Sequence, residues 1–351
     1  MLLRTADSLY WMSRHMERAE NTARLLNAQY QFSLLNTEKD SVLSQWKKVL
    51  ELFELEELYK ELEKKISPQK VIKFMIVEQD NPSSLINSLW NARENARCMR
   101  GVIPTDLWVI INSIWLDFEN IFKKDDWLKD LERSLGWVRE RSYSFRGVLE
   151  GIMPINEFLY FSRIGMHLER ADNTARILDI SFNVMTENFL LTQSVQDERN
   201  EENQLKNFEE FLSIQNNKNF YFWITVLRSL SASEIYRQVF SDKINPIRVA
   251  ELLISRKDFP RSLLVCLHNL QKQLENVSTS DNHLSNKLVG KLSGEIFYET
   301  IDKKFILNIH DFSKKTLFDI NNLGKILSNE FLIPLPTSES STKPIIRTID
   351  E

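Results

Sequence analysis

A twelve-residue segment occurs twice in this chain, and its polar residues match better than its apolar ones. The first copy is HMERAENTARLL at residues 15–26, and the second is HLERADNTARIL at residues 167–178. Nine of the twelve positions are identical, and the other three are conservative. Because exposed helix faces tolerate most substitutions with little loss of stability, the retained polar residues indicate a structural or functional constraint on this face.

Further matched segments follow in the same order in both parts of the chain. They are Trp46-x-x-Val49-Leu50 with Trp223-x-x-Val226-Leu227, Glu57-Leu58-Tyr59 with Glu234-Ile235-Tyr236, Pro68-x-x-Val71 with Pro246-x-x-Val249, and Asp80-x-Pro82-x-Ser84 with Asp258-x-Pro260-x-Ser262. A period this long indicates a domain-scale duplication rather than a solenoid. The sequence therefore predicts two similar halves, residues 1–153 and 154–332, packed about a pseudo-two-fold axis as one compact unit.

Composition changes at two places in the chain. Residues 192–219 are rich in Gln, Asn and Glu, which predicts an exposed insertion with a short helix at residues 208–212. Residues 333–351 contain Pro, Ser and Thr without a helical period, which predicts a disordered tail.

The scarcity of helix-breaking residues favours an all-α, multi-helix bundle. The 351 residues include only 8 glycines and 9 prolines, and nearly every segment shows the 3.6-residue apolar period. The first helix is predicted at residues 6–35, with Leu9, Met12 and Met16 on its buried stripe and a polar opposite arc. Asp80 and Asp258 are predicted to cap the helices that follow them. Other helices are predicted at 41–53, 55–65, 69–78, 82–100, 106–122, 126–150, 220–240, 247–255, 260–276, 284–301 and 308–328.

Charge and hydropathy weigh against two classes of partner. The net charge is −4, and the basic residues are scattered rather than collected into a stripe, so nucleic acid is not an expected partner. No apolar run approaches the length of a membrane span. The first copy of the repeat begins too close to Met1 for a signal peptide to precede it, which predicts a cytoplasmic protein.

The repeated polar face has three interpretations, of which the first is a structural salt-bridge network. If the two faces meet, Glu17 is predicted to pair with Arg176 and Glu169 with Arg24. Asn21 and Asn173 would then satisfy the remaining donors and acceptors of the network.

The second interpretation is a ligand site, and the third is a catalytic or metal site. Arg24 and Arg176, with Arg14 or Arg18 nearby, would hold a carboxylate or phosphate. Glu17 and Glu169 are the acid/base candidates. No metal is predicted, because a di-iron bundle requires Glu-x-x-His and the histidines here precede the glutamates. The full candidate set is Arg14, Glu17, Arg18, Glu20, Asn21, Arg24, Glu169, Arg170, Asp172, Asn173, Arg176, and the separate polar surface Arg93, Asn95 and Arg97.

No established catalytic motif is present in the sequence. There is no P-loop, no Gly-rich dinucleotide turn and no nucleophile elbow. The sequence therefore predicts no cofactor, and it leaves open whether the protein is an enzyme while favouring a non-catalytic role.

The segment LYWMSRHMERAENTAR at residues 9–24 resembles the signature of the alpha-E family, a bacterial group of predicted helical proteins named for an internal Glu-Arg (ER) motif. Residues 169–176, 80–84, 92–97 and 258–262 are similar to further motifs of that family. The resemblance extends from about residue 1 to residue 274. It implies an all-α fold and supplies no established activity.

The resemblance also implies two partners. Genes of this family commonly lie beside those for an ATP-grasp-type ligase and a transglutaminase-like peptidase. The function expected from this association is a non-catalytic scaffold that presents substrate to an ATP-grasp-type peptide or amide ligase. The alternative is an enzyme with a Glu/Arg/Asn site between the two halves, acting on a carboxylate- or phosphate-bearing substrate.

Overall fold

The computed structural model describes residues 3–35, 39–63, 65–123, 125–190, 205–212, 220–241, 243–278 and 283–333. All regular elements within these ranges are helices, which confirms the predicted all-α class. The predicted tail, beyond residue 333, and most of the predicted insertion lie outside the described residues. A short helix, α9, at residues 205–212 overlaps the helix that was predicted within the insertion.

Two long helices form the centre of the molecule. Helix α1 (Leu3–Leu35) and helix α8 (Glu157–Leu190) carry the two copies of the repeated segment and pack directly against each other. Helix α1 is buried on both arcs, since Leu9 and Glu20 are each fully shielded from solvent. The sequence predicted burial of the apolar stripe only. Neighbouring helices cover the polar arc as well, so both arcs are buried.

Six helices and a 3₁₀ turn follow α1 within the described part of residues 39–152. They are α2 (Lys39–Leu52), α3 (Glu56–Leu62), α4 (Pro68–Ile76), α5 (Leu85–Cys98), α6 (Thr105–Phe122) and α7 (Leu131–Ile152), with a 3₁₀ turn at Asp125–Leu128. Helices α5 and α7 pack on α1, and α6 lies against both of them.

The helices after α9 complete the second part of the chain. They are α10 (Phe220–Ser229), α11 (Ser233–Phe240), α12 (Pro246–Ile254), α13 (Leu263–Val277), α14 (Leu284–Tyr298), α15 (Lys303–Leu307) and α16 (Ile309–Phe331). Helices α13 and α16 contact α8. The two parts of the chain are also joined where α10 packs on α1 and where α2 packs on α8. The two parts of the chain are therefore interlocked through their central helices.

One predicted helix is divided in the structure. The helix predicted at residues 220–240 is interrupted between α10 and α11, where Ser231 adopts a φ of 56°. A left-handed backbone cannot continue a right-handed helix. Glu54 has a φ of 58° at the corresponding break between α2 and α3.

The predicted capping residues were wrong. The helices begin after Ser84 and Ser262, whose hydroxyls accept hydrogen bonds from the backbone N–H groups of Asn87 and Val265. The segment before each helix forms a turn instead, in which the backbone N–H of Ser84 donates to the carbonyl of Asn81. Asp258 pairs with Arg256 at the surface.

The backbones of α1 and α8 approach closely at Gly165. A Cβ atom placed on Gly165 would lie 2.2 Å from the carbonyl oxygen of Tyr10, closer than real Cβ contacts allow. Glycine therefore permits the approach of the two helices that brings their polar faces together.

None of the described helices is long and apolar enough to span a membrane.

Candidate functional site

The centre of the candidate site is a reciprocal pair of salt bridges between α1 and α8. Arg170 donates from Nε and Nη2 to the two carboxylate oxygens of Glu17, both at 2.9 Å. Arg18 donates from Nε and Nη2 to those of Glu169, at 2.6 Å and 3.0 Å. Each Glu-Arg dipeptide thus binds the other one in a bidentate geometry, the strongest arrangement for this pair of groups.

The predicted pairing of Glu17 with Arg176 and of Glu169 with Arg24 was wrong. Arg24 lies seven residues beyond Glu17, about 10 Å along the helix axis, and Glu169 is bound instead by Arg18, the residue directly after Glu17. Arg176 instead pairs with Asp172 on its own helix and with Glu54. Arg24 pairs with Glu20, also within one helix.

Two arginines outside the predicted set complete the site. Arg146, from α7, donates to both Glu17 and Glu20. Arg261, from the turn before α13, donates to Glu20 at 2.6 Å and lies 3.0 Å from Glu17. Arg261 lies within the repeated Asp-x-Pro-x-Ser motif, and this repetition could have identified it as a candidate site residue. Nothing in the sequence marks Arg146 in the same way.

These residues form one cluster, here called the Glu–Arg network. The side chains of its three carboxylates are at most 6% exposed. The members of the network are Glu17, Glu20, Glu169, Arg14, Arg18, Arg24, Arg146, Arg170 and Arg261. Six arginines face three carboxylates, so the network carries a net positive charge.

The carboxylates of this network remain ionised. Burial on its own would raise the pKa of Glu17, but the charges of Arg170, Arg261 and Arg146 outweigh burial and hold that pKa well below its ordinary value. Burial is likewise outweighed at Glu169 by Arg18 and Arg14, so its pKa is lowered as well. Both groups are therefore fixed hydrogen-bond acceptors rather than groups ready to exchange protons near neutral pH.

The two repeated asparagines differ in their contacts. The Oδ1 atom of Asn21 accepts a hydrogen bond from Arg261 at 2.7 Å. The Nδ2 atoms of Asn21 and Asn173 are buried and find no hydrogen-bond partner among the described residues. The structure therefore supports the predicted role of satisfying leftover groups only for the side-chain oxygen of Asn21.

The polar surface on α5 is separate from the Glu–Arg network. Arg93 donates to Asn112 and Glu94, Arg97 donates to Glu94, and Asn95 donates to the carbonyl of Asn91. These contacts stay within α5 or join it to α6. Over the described ranges, no group of three or more His, Cys, Asp or Glu side chains is arranged to hold a metal ion.

A cleft of about 800 Å³ opens beside one end of the network, between α1, α7, α10 and α11. Among the network residues, Arg24 contributes to its wall. Arg24 donates hydrogen bonds to the hydroxyls of Ser231 and Tyr143, through Nη1 and Nη2 respectively. Other polar and charged wall residues include Asn27, Glu132, Arg139, Arg228, Glu234, Arg237 and Lys243.

The stability of the protein is expected to fall as pH drops from 6.5 toward 5, partly through His167. Burial lowers the pKa of His167 to about 3, and the charge of Arg170 adds to this effect. The His167 imidazole is therefore protonated below about pH 6.5 in the unfolded chain but stays neutral in the folded chain. This difference in protonation costs up to about 1.4 kcal/mol of unfolding free energy per pH unit below 6.5.

Denaturant titrations at pH 7, 6 and 5 measure this effect. The His167→Gln variant should show a shallower dependence of unfolding free energy on pH. The matched control is His268→Gln, because His268 is exposed. An unchanged slope in His167→Gln would contradict the assignment.

The fold and the site define a class of protein: an all-helical chain whose central helices are joined by a buried arginine–carboxylate network. A family model described as Alpha-E, a predicted alpha-helical domain with a conserved ER motif, matches residues 1–332. The chain belongs to this family, as its motifs had indicated. No curated protein and no solved structure matches the chain.

Proposed function

We propose that this protein is a non-catalytic helical scaffold that presents substrate to an ATP-grasp-type peptide or amide ligase. The observation that carries the proposal is the pairing of Glu17 with Arg170 and of Glu169 with Arg18. The two residues best placed by the sequence to do acid/base chemistry instead hold the central helices together. In this proposal the network is structural, and Glu169 itself lies outside the wall of the neighbouring cleft.

We also propose that the chain is a duplicated unit with a pseudo-two-fold axis between α1 and α8, and that Glu17-Arg18 and Glu169-Arg170 are the family's ER motif. The reciprocal salt bridges support this, since each dipeptide plays the same part toward the other. Matched positions elsewhere also have matched roles. Trp46 and Trp223 are both buried, the hydroxyls of Tyr59 and Tyr236 both donate to lysine carbonyls, and Ser84 and Ser262 both cap helices.

The alternative, an enzyme that uses Glu17 and Glu169 as acid and base, finds less support. A general acid or base works best when its pKa lies near the working pH. The lowered pKa values of both groups move them away from that condition. Their oxygens already accept hydrogen bonds from arginines, so a substrate would have to displace those partners.

The choice of partner rests on the gene association that the family resemblance implies, which also suggests a transglutaminase-like peptidase. An ATP-dependent ligase acts where ATP is available, so the proposal places this protein in the cytoplasm. The open, arginine-lined cleft supports a presenting role, because it leaves a charged concave surface accessible from solvent.

Purified protein mixed with the ATP-grasp-type ligase of the same organism tests the proposal. We expect a stable complex by size-exclusion chromatography and a higher rate of ATP-dependent product formation than with the ligase alone. The folded Glu169→Gln variant, assayed at a temperature where circular dichroism shows it intact, should support the ligase as well as the parent does. Absence of both complex and stimulation, or loss of stimulation in folded Glu169→Gln, would overturn the proposal.

A further inference from the structure

We propose that the cleft between α1, α7, α10 and α11 binds a short acidic peptide. Its volume of about 800 Å³ lies within the range of about 300–1,000 Å³ typical of ligand sites. The aromatic rings of Tyr143, Phe220 and Tyr236 line the cleft together with charged side chains. The cleft can therefore accommodate a ligand of a few residues with both apolar and charged parts.

The charge of the cleft favours an anionic ligand. Its wall has two carboxylates, Glu132 and Glu234, and five cationic side chains, Arg24, Arg139, Arg228, Arg237 and Lys243. Arg24 is paired with Glu20. Within the described part of the chain, Arg139, Arg237 and Lys243 have no ion-pair partner. Arginine is suited to gripping a carboxylate through two parallel hydrogen bonds.

Asn27 and Arg139 of the wall each have a buried polar atom that lacks a hydrogen-bond partner among the described residues. Asn27 is only 8% exposed, and its Oδ1 atom has no hydrogen-bond partner among the described residues. The Nε atom of Arg139 is buried and equally unpartnered there. Both atoms are shielded from solvent in this arrangement, so a ligand would pair with them only if these side chains turned toward the cleft.

A peptide suits a wall that has both carboxylates and cations, since its amides donate to carboxylates and its carbonyls and carboxylates accept from arginine and lysine. Inorganic phosphate fits less well. It offers few O–H donors, whereas peptide N–H groups can donate to the carboxylates of Glu132 and Glu234. The mixed lining thus favours a ligand that carries carboxylates on a backbone rich in N–H groups.

The Glu–Arg network prepares one wall of the cleft for such a ligand. Glu20 accepts hydrogen bonds from Nε and Nη2 of Arg24 and so fixes the plane of this guanidinium. Because Arg24 is already held in place, little of its side-chain entropy remains to be lost when an anion binds. The network also holds more arginines than carboxylates, and its unbalanced positive charge adds to the electrostatic field in the adjoining cleft.

This inference deepens the proposed function, on which it rests for its biological purpose, by naming the class of substrate that would be presented. Binding is measured on the purified protein alone. If an acidic peptide binds while the ligase neither associates nor responds, only the proposed function fails. If the ligase responds but no acidic peptide enters the cleft, only the present inference fails.

Isothermal titration calorimetry with tri-glutamate tests the inference, with tri-lysine and inorganic phosphate as comparison probes. We expect tri-glutamate to bind, tri-lysine to give no binding heat, and phosphate to bind more weakly than tri-glutamate. Affinity for tri-glutamate should fall with rising salt, and it should fall at least tenfold in Arg139→Gln.

The matched control is Arg133→Gln, because Arg133 lies on the same helix as Arg139, is exposed and is not part of the cleft wall. Its affinity for tri-glutamate should equal that of the parent. Arg237→Gln provides a second test at an exposed position if Arg139→Gln does not fold. No binding of tri-glutamate, equal binding of tri-lysine, or unchanged affinity in the folded cleft variants would overturn the inference. Stronger binding of phosphate would overturn the peptide assignment in favour of a phosphate site.

Discussion

Replacing Glu17 with Gln is expected to lower the free energy of unfolding by about 3–5 kcal/mol, the usual cost of removing one partner from a buried ion pair. Glu17 neutralises Arg170, Arg146 and Arg261, and its own side chain is 1% exposed. The substitution would leave these arginines with Glu20 as their nearby carboxylate. Urea unfolding, followed by circular dichroism, measures the loss.

Glu57→Gln is the matched control for this experiment. The side chain of Glu57 is 85% exposed and pairs with Lys60 at the surface. Because exposed ion pairs contribute only about 0–1 kcal/mol, this variant should stay close to the parent. The double variant Glu17→Gln/Arg170→Gln should recover part of the lost stability, since it also removes a stranded charge. A loss below about 1 kcal/mol in Glu17→Gln would show that the network is not tightly buried.

Replacing Gly165 with Ala is expected to destabilise the protein by about 1–3 kcal/mol or more, the range seen when atoms are forced into a packed interior. The added methyl group would lie 2.2 Å from the carbonyl oxygen of Tyr10, which is backbone and cannot rotate away. Helices α1 and α8 would have to separate, which would also lengthen the salt bridges of Glu17 and Glu169. Thermal and urea unfolding of the variant measure the effect.

Gly147→Ala is the control that isolates this contact. Gly147 lies within helix α7, and a Cβ atom there would meet nothing within 4 Å. Alanine is favoured over glycine inside a helix, so this variant should be more stable than the parent by about 0.4–1 kcal/mol. If Gly165→Ala were as stable as Gly147→Ala, the close approach of α1 and α8 would be refuted.

Much of the helical organisation could be predicted because it is encoded locally. The 3.6-residue period places α4, α6 and α12 within a residue or two of their predicted ends. Predictions failed where tertiary contacts or turns compete with local pattern. Ser231 breaks a continuous apolar period with a left-handed backbone, and the turn stabilised by Asn81 moves the start of α5 to Leu85.

The sequence by itself determined the helical class, the twice-written polar segment and the resemblance to the Alpha-E family, because periodicity and motif spacing are properties of neighbouring residues. The tertiary structure alone decided which charges meet. The close contact of α1 and α8 at Gly165 sets Glu17 against Arg170, and distant helices bring in Arg146 and Arg261. The crossing angle and the distance between packed helices determine which charged residues pair. Neither quantity can be derived from the spacing of residues along one helix.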